Sequence, residues 1–408
     1  MNHTVAQLEF SKMFKQACLC LVLIFISFNL FAKAQNKNII IVSLGDINQK
    51  KFQEKYKEKF YSLIGDGFYF KNAYSPDNWS IFYDWFNPLP SGKLYSSNGT
   101  FRREDDYLKM FVPLWGFSND ELKALDKKYD DSKNYIVFIQ NNFLVPPYLR
   151  RDVESKLLLD NKHLEDIKKH KANFKAKKFN YLNSLLFAEG IDAFSVRDFD
   201  PDSKEKFFQG KNFQNEKKLV EDIYDKKMEI LFSQFEVFWK NVLAERKKDS
   251  LIVIVGNHGE PIFEHGNIHV SNDLYNTDFK IEMIVIPPGH VGKINVDKSV
   301  TSLILNKIIF DFIKDVKIDS SYLKQLDAKD IFLRSCDKRK IALISQDRKK
   351  IIYDLQQNDF KYYDLERDPE ELNPISDVPP ADKLKDLRNF DFDEYFKNKK
   401  FKRESCQP

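Results

Sequence analysis

The residues Leu251-Ile252-Val253-Ile254-Val255 form an unbroken apolar, mostly β-branched run that stops at the polar turn Gly256-Asn257-His258-Gly259-Glu260-Pro261-Ile262-Phe263-Glu264-His265-Gly266. A run with no polar alternate cannot line a sheet that has one wet face, so it describes a strand buried on both faces of an α/β sheet. In such sheets ligands bind beyond the carboxyl ends of the strands. Asn257, His258, Glu260, Glu264 and His265 therefore stand where a site is expected. Nitrogen and oxygen donors at this spacing suit a divalent cation such as zinc or manganese, given a further carboxylate from elsewhere in the fold. A polar loop that only caps a sheet reads the same locally, and the rest of the chain has to decide between the two.

Other segments repeat the pattern. Asn38 to Leu44 (NIIIVSL) is a buried strand ending at Gly45-Asp46, which delivers a second acidic group at a strand's carboxyl end, although a lone Asp there also serves as a turn or cap residue. Phe68 to Tyr74 alternates like a strand and runs into Ser75-Pro76-Asp77-Asn78-Trp79-Ser80. Ser80 then lies near the start of a helix, where free N–H groups and the positive dipole end suit an anionic ester and an activated hydroxyl; plain N-capping explains it equally. Tyr135 to Ile139 is another strand, followed by the polar exit QNNFLVPPY. Residues 87 to 134 are loop-rich and 152 to 217 are charged and helical in character. Leu219 to Leu243 carries a helical apolar stripe that feeds the LIVIV strand. Lys280 to Pro288 (KIEMIVIPP) is one more strand, and strand-helix-strand alternation of this kind argues for a layered α/β domain. The tail, KIALISQDRKKIIYDLQQNDFKYYDL, changes to short hairpin-like strands before DPEELNPI turns into a helix.

Length and composition set the remaining bounds. A chain of 408 residues with 42% apolar and 14% aromatic residues builds a large core and is not disordered. Its formal charge of +4 is small against 65 basic and 61 acidic residues, which excludes a strong polyanion partner such as nucleic acid. Lys12 and Lys15 precede the uncharged stretch Ala17 to Ala32, and Ala32-Lys33-Ala34 follows it, the pattern of a signal peptide over residues 1–34 with an A-x-A cleavage site. Export to a periplasm or to the outside is expected. A membrane anchor follows only if the segment stays uncleaved, and at sixteen residues it is marginal for spanning a bilayer. Cleavage leaves Cys336 and Cys406, either paired or as free thiols. Asn78-Trp79-Ser80 and Asn98-Gly99-Thr100 match the N-glycosylation pattern, which has meaning only in a eukaryotic secretory cell.

Taken in order, the pieces resemble the sulfatase branch of the alkaline phosphatase superfamily. NIIIVSLGD is similar to the strand that ends in acidic metal ligands, FKNAYSPDNWS to the approach to the nucleophile, and VGNHGEPIFEHG to the late metal turn, usually SDHGE followed by EHG. IEMIVIPPG resembles the next strand, and YYDLERDPEELNPI is close to the family's YDLxxDPxExxN ending, a fold marker that carries no chemistry. The resemblance implies a three-layer α/β sandwich over residues 35–335 with a small C-terminal β-hairpin and helix subdomain over 336–408. It implies metal ligation by Asp46, Asn257 and His258, attack by Ser80, and His265 facing the substrate or a second metal. The cofactor would be one divalent ion: zinc, manganese or calcium.

The departures from the family pattern bear on activity. The paired acids that usually end the first strand are reduced to Gly45-Asp46, and the late aspartate is Asn257. Ser80-Ile81-Phe82-Tyr83-Asp84 lacks the Pro and Arg that direct formylglycine formation, so that modification is not expected. The histidine expected after the YIVFI strand is also missing from QNNFLVPPY. Two main readings follow. One is a divergent hydrolase or phosphotransferase acting on a sulfate or phosphate ester through a reduced metal site. The other is an inactive sulfatase-fold protein that binds an anionic glycan or lipid head group. A structural subunit of an envelope complex is a third. Substrate, oligomeric state and host are left open.

Overall fold

The computed structural model describes residues 38–76, 103–104, 107–114, 134–141, 143–144, 186, 205, 207–268, 271, 273–326, 329–335 and 337–391. Asn38–Ser43 forms β1 and Ser250–Val255 forms β6, and every residue of both is buried. They run parallel, with Ile39 beside Leu251 and Ser43 beside Val255. On its other side β1 pairs in parallel with β5 (Asn134–Asn141), which pairs in parallel with β4 (Tyr107–Leu114). The two-residue β3 (Arg103–Glu104) closes that edge.

Beyond β6 the direction reverses. β8 (Met283–Ile286) is antiparallel to β6 and to β2 (Gly67–Tyr74), and β2 pairs in turn with β7 (Lys280–Ile281) and, in parallel, with β9 (Lys293–Thr301). The result is a mixed sheet of nine strands in which β1 and β6 are central. The single strand expected over Lys280 to Pro288 is split by Glu282. Its backbone carbonyl accepts from Gly256 N (2.9 Å), and its buried carboxylate accepts from the Tyr61 hydroxyl (2.5 Å), so it leaves the ladder.

Alternation along the central strands divides the core in two. Ile40, Val42, Ile252 and Ile254 face one way, against α1 (Gln49–Lys55), α2 (Lys57–Ile64) and the long α3 (Phe213–Phe238). The expected stripe from Leu219 to Leu243 is the inner face of α3 and of the π turn Trp239–Leu243 that continues it. Ile39, Ile41, Leu251, Val253 and Val255 face the other way, against α5 (Ile304–Ile313) and α6 (Ser320–Gln325). Helices on both faces explain why the strands read as continuous apolar runs. Helices, sheet and helices make the three layers.

The tail forms a four-stranded antiparallel sheet, β10 (Ile331–Arg334), β11 (Lys340–Ile344), β12 (Lys349–Asp354) and β13 (Asp359–Asp364), in that order. It begins at Ile331, a few residues before the hairpin pattern that is visible in the sequence. One face packs on Tyr74, Leu274, Tyr275 and Phe279, and the other takes Leu387 of α7 (Ala381–Asn389). The first contact matters most, because residues 274 to 279 adjoin the end of β6. The signal peptide expected over residues 1–34 and the expectations for Asn78, Ser80, Asn98, Cys336 and Cys406 lie outside the described residues. Among the described residues no helix is long and apolar enough to cross a membrane.

Candidate metal centre

Where β1 ends, Gly45 adopts φ 82°, and a Cβ there would meet the Asn141 carbonyl oxygen at 2.7 Å, so glycine is required for the chain to turn against β5. The turn puts Asp46 next to the continuation of β6. Asn257 N donates to Gly45 O (3.0 Å), Gly259 bridges Ile47, and Glu260 N donates to Ile47 O (3.3 Å), so the bend at 257 and 258 and the bridge after it lie beside the exit from β1. His258 and Glu260 there join Asp46, their ligand atoms all within 4.8 Å of one another. All three are buried, with exposures of 5%, 0% and 3%.

The donor set suits a divalent cation. His258 Nδ1 lies 2.7 Å from the Gly259 carbonyl, to which it donates, so Nε2, 3.3 Å from Asp46 Oδ1, is the ring nitrogen placed to bind an ion beside that carboxylate. Two donors at about 2.0–2.1 Å from a tetrahedral zinc stand about 3.3–3.4 Å apart, so the spacing fits. Two carboxylates and one imidazole, fixed in orientation by its second nitrogen, are an ordinary ligand set for zinc or manganese.

Asn257, expected as a ligand, stands beside Asp46 in this cluster. The Ser43 hydroxyl accepts from Gly45 N (3.2 Å) and donates to Asn257 Oδ1 (2.6 Å), which leaves the Asn257 amide N–H to donate to Asp46 Oδ1 (3.3 Å). The neutral side chain thus orients Asp46, with its own oxygen turned to Ser43. On the other side Tyr224 of α3 accepts from Asn48 N (2.8 Å) and donates to Asp46 O (2.9 Å). Burial, reinforced by Glu260 and Asp46, holds its phenol well above its ordinary pKa, so it stays a donor. Asn48 caps α1 by accepting from Lys51 N (2.9 Å), and its amide donates to Glu260 O (2.8 Å) and Glu264 Oε1 (2.9 Å). Glu264 also accepts from Ile262 N, so it braces the loop.

His265 is turned towards the C-terminal segment. It has φ 51°, its Nε2 lies 2.9 Å from Glu370 O, and its ring stacks on Tyr275 at 3.7 Å and 6°. Ser80 falls outside the described residues. Glu260 is the residue that the sequence places at the strand end without assigning it a role. Tyr224 had no signal, being one aromatic among many on a long helix.

No family model matches the chain, and no curated protein matches it. Solved structures do. A protein in complex with its substrate D-glucosamine-2-N,6-O-disulfate aligns at 13% identity and TM-score 0.54, over 89% of this chain and 98% of its own. The phosphonate monoester hydrolase of Agrobacterium radiobacter aligns at 11% identity and TM-score 0.51, over 86% and 95%. A 2-O glycosaminoglycan sulfatase aligns at 13% identity and TM-score 0.43. The chain has the mixed α/β sandwich of the sulfatase and alkaline phosphatase type along most of its length.

Proposed function

We propose that this chain is a divergent sulfatase-like hydrolase or phosphotransferase that acts on a sulfate or phosphate ester through a single-cation site. The observation that carries the reading is the convergence of Asp46, His258 and Glu260 at the carboxyl ends of β1 and β6. These three would hold the ion, with Asn257 orienting Asp46. A divalent cation there supplies Lewis acidity towards the ester oxygens and lowers the pKa of a hydroxyl nucleophile. The buried, water-poor setting strengthens each charge interaction. Ser80 as the attacking hydroxyl and His265 as a substrate contact at the rim belong to the same reading, His265 acting from its seat on Glu370. So do an anionic glycan or lipid-head-group ester as substrate and a secreted or periplasmic location.

Elemental analysis of the purified chain beside His258→Ala and Glu260→Gln tests it. Stoichiometric zinc, manganese or calcium in the wild type, lost in both variants, is expected. Turnover of a panel of sulfate, phosphate and phosphonate esters that disappears in Ser80→Ala completes the case. Metal-free protein after dialysis against millimolar cation overturns it. One observation favours the second reading, an inactive anion-binding member: the Asn257 amide already satisfies one oxygen of Asp46 without an ion. Cation binding without turnover of any ester would select that reading.

A further inference from the structure

The C-terminal DPEELN segment reaches back to the metal centre through one side chain. Glu371 is held at φ 56°, a left-handed conformation that strains a non-glycine residue, yet it is buried. Its carboxylate pairs with Lys350 Nζ at 2.7 Å, both side chains fully buried, and accepts from Asn276 N. Asn276 is gripped twice more, its Oδ1 accepting from Lys350 Nζ (3.2 Å) and its Nδ2 donating to Pro369 O (3.1 Å). Asn276 opens the one-turn helix α4 (Asn276–Phe279), whose Asp278 carbonyl accepts from Gly259 N at 3.0 Å. Contact there is so close that a Cβ on Gly259 would lie 2.0 Å from Thr277 O. Gly259 separates His258 from Glu260.

We propose that Glu371 is a positioning residue for the cation site: it fixes α4 through the Asn276 N–H, and α4 fixes the register of His258 and Glu260 against Asp46. The proposal rests on the metal-centre reading. A buried ion pair gives little net stability and can often be replaced by apolar residues without loss. The acceptor on Asn276 N–H is the part that positions.

The test compares the wild type with two double variants, Lys350→Met with Glu371→Gln and Lys350→Met with Glu371→Leu. Both remove the charges, and only the first keeps an acceptor for Asn276 N–H. Amide hydrogen exchange is read in the metal-free proteins, and Mn²⁺ and Zn²⁺ binding by calorimetry. The glutamine variant is expected to match the wild type within about twofold. In the leucine variant, residues 256–262 should exchange at least about tenfold faster while β1 and β6 stay protected, and cation affinity should fall about 10–100-fold, the usual effect of losing an outer-shell support. Equal exchange of 256–262 in the two double variants overturns the positioning role. If the leucine variant fails to fold, Asn276→Pro takes its place, since proline is tolerated at the first helical position and removes the same N–H; unchanged exchange in it overturns the proposal too. Should the wild type bind no cation while exchange still splits as expected, the metal reading falls and the positioning role stands.

Discussion

Gly259 has no side chain because the Thr277 carbonyl occupies the place where a Cβ would go, 2.0 Å away. Gly259→Ala must push α4 and the late turn apart, and overpacking of this kind costs about 1–3 kcal/mol. Urea denaturation should show that loss, with cation binding weakened in parallel; an unchanged midpoint would mean that the turn slides freely on α4. Asp278, on α4, is fully buried and accepts from Ser271 N (2.7 Å) and Ser271 Oγ (2.9 Å). Burial pushes its carboxyl up to about 8, with Asp273 adding to the rise, while the Ser271 bonds and Lys350 pull the other way. A folded-state pKa above the unfolded value means that the folded chain keeps a proton the unfolded chain has lost. This contribution to stability is therefore fully present below about pH 4 and is lost as pH rises towards 8, at up to about 1.4 kcal/mol per pH unit for one proton. Asp278→Asn should flatten the fall in unfolding midpoint between pH 5 and 8. A slope identical to the wild type would show that Asp278 is ionised in the fold.

Among the elements, those buried on both faces were legible. β1, β5 and β6 could be read from apolar runs because covered sheets leave no other pattern, β2 from its alternation, and the α3 stripe from its period. The break at Glu282 was not legible, because it depends on Tyr61 and Gly256, partners far away in sequence. The site divides in the same way. That Asp46 and His258 lie near the carboxyl ends of β1 and β6 follows from the strand ends read in the sequence. The hydrogen bonds of Asn257 depend on which way its amide points, and its Oδ1 accepts from Ser43. The Glu371 brace depends on a contact across 95 residues, and no local pattern announces it. Helix α1 shows how an element and the site share parts, since Asn48 caps the helix and also holds Glu260 O and Glu264. Asn48→Ala should cost more than the roughly 1 kcal/mol typical of a lost cap, because buried Glu260 O loses its donor as well. Thermal unfolding checks the sum, and a loss of only a few tenths of a kcal/mol would mean that the turn finds other donors.

At the scale of the whole molecule, the candidate cation site is where three parts of the chain meet. Asp46 comes from the first strand, His258 and Glu260 from the late turn, and the support under that turn from the C-terminal sheet through Lys350 and Glu371. An ion that binds this arrangement and not the unfolded chain must stabilise all three parts together, by RT ln(1 + [L]/Kd), about 2.7 kcal/mol at a hundredfold excess over Kd. Mn²⁺ or Zn²⁺ added to metal-free protein should therefore raise a single cooperative unfolding transition, and a chelator should reverse the shift. In His258→Ala the transition should stay where it is at every cation concentration, because two carboxylates without the imidazole are left. If the wild type behaves like the variant, no ion is shared between Asp46 and His258, and the Asn257 amide is the resident partner of Asp46. A shift confined to the loss of the C-terminal sheet, with the main sheet melting separately, would instead place the bound ion outside this centre.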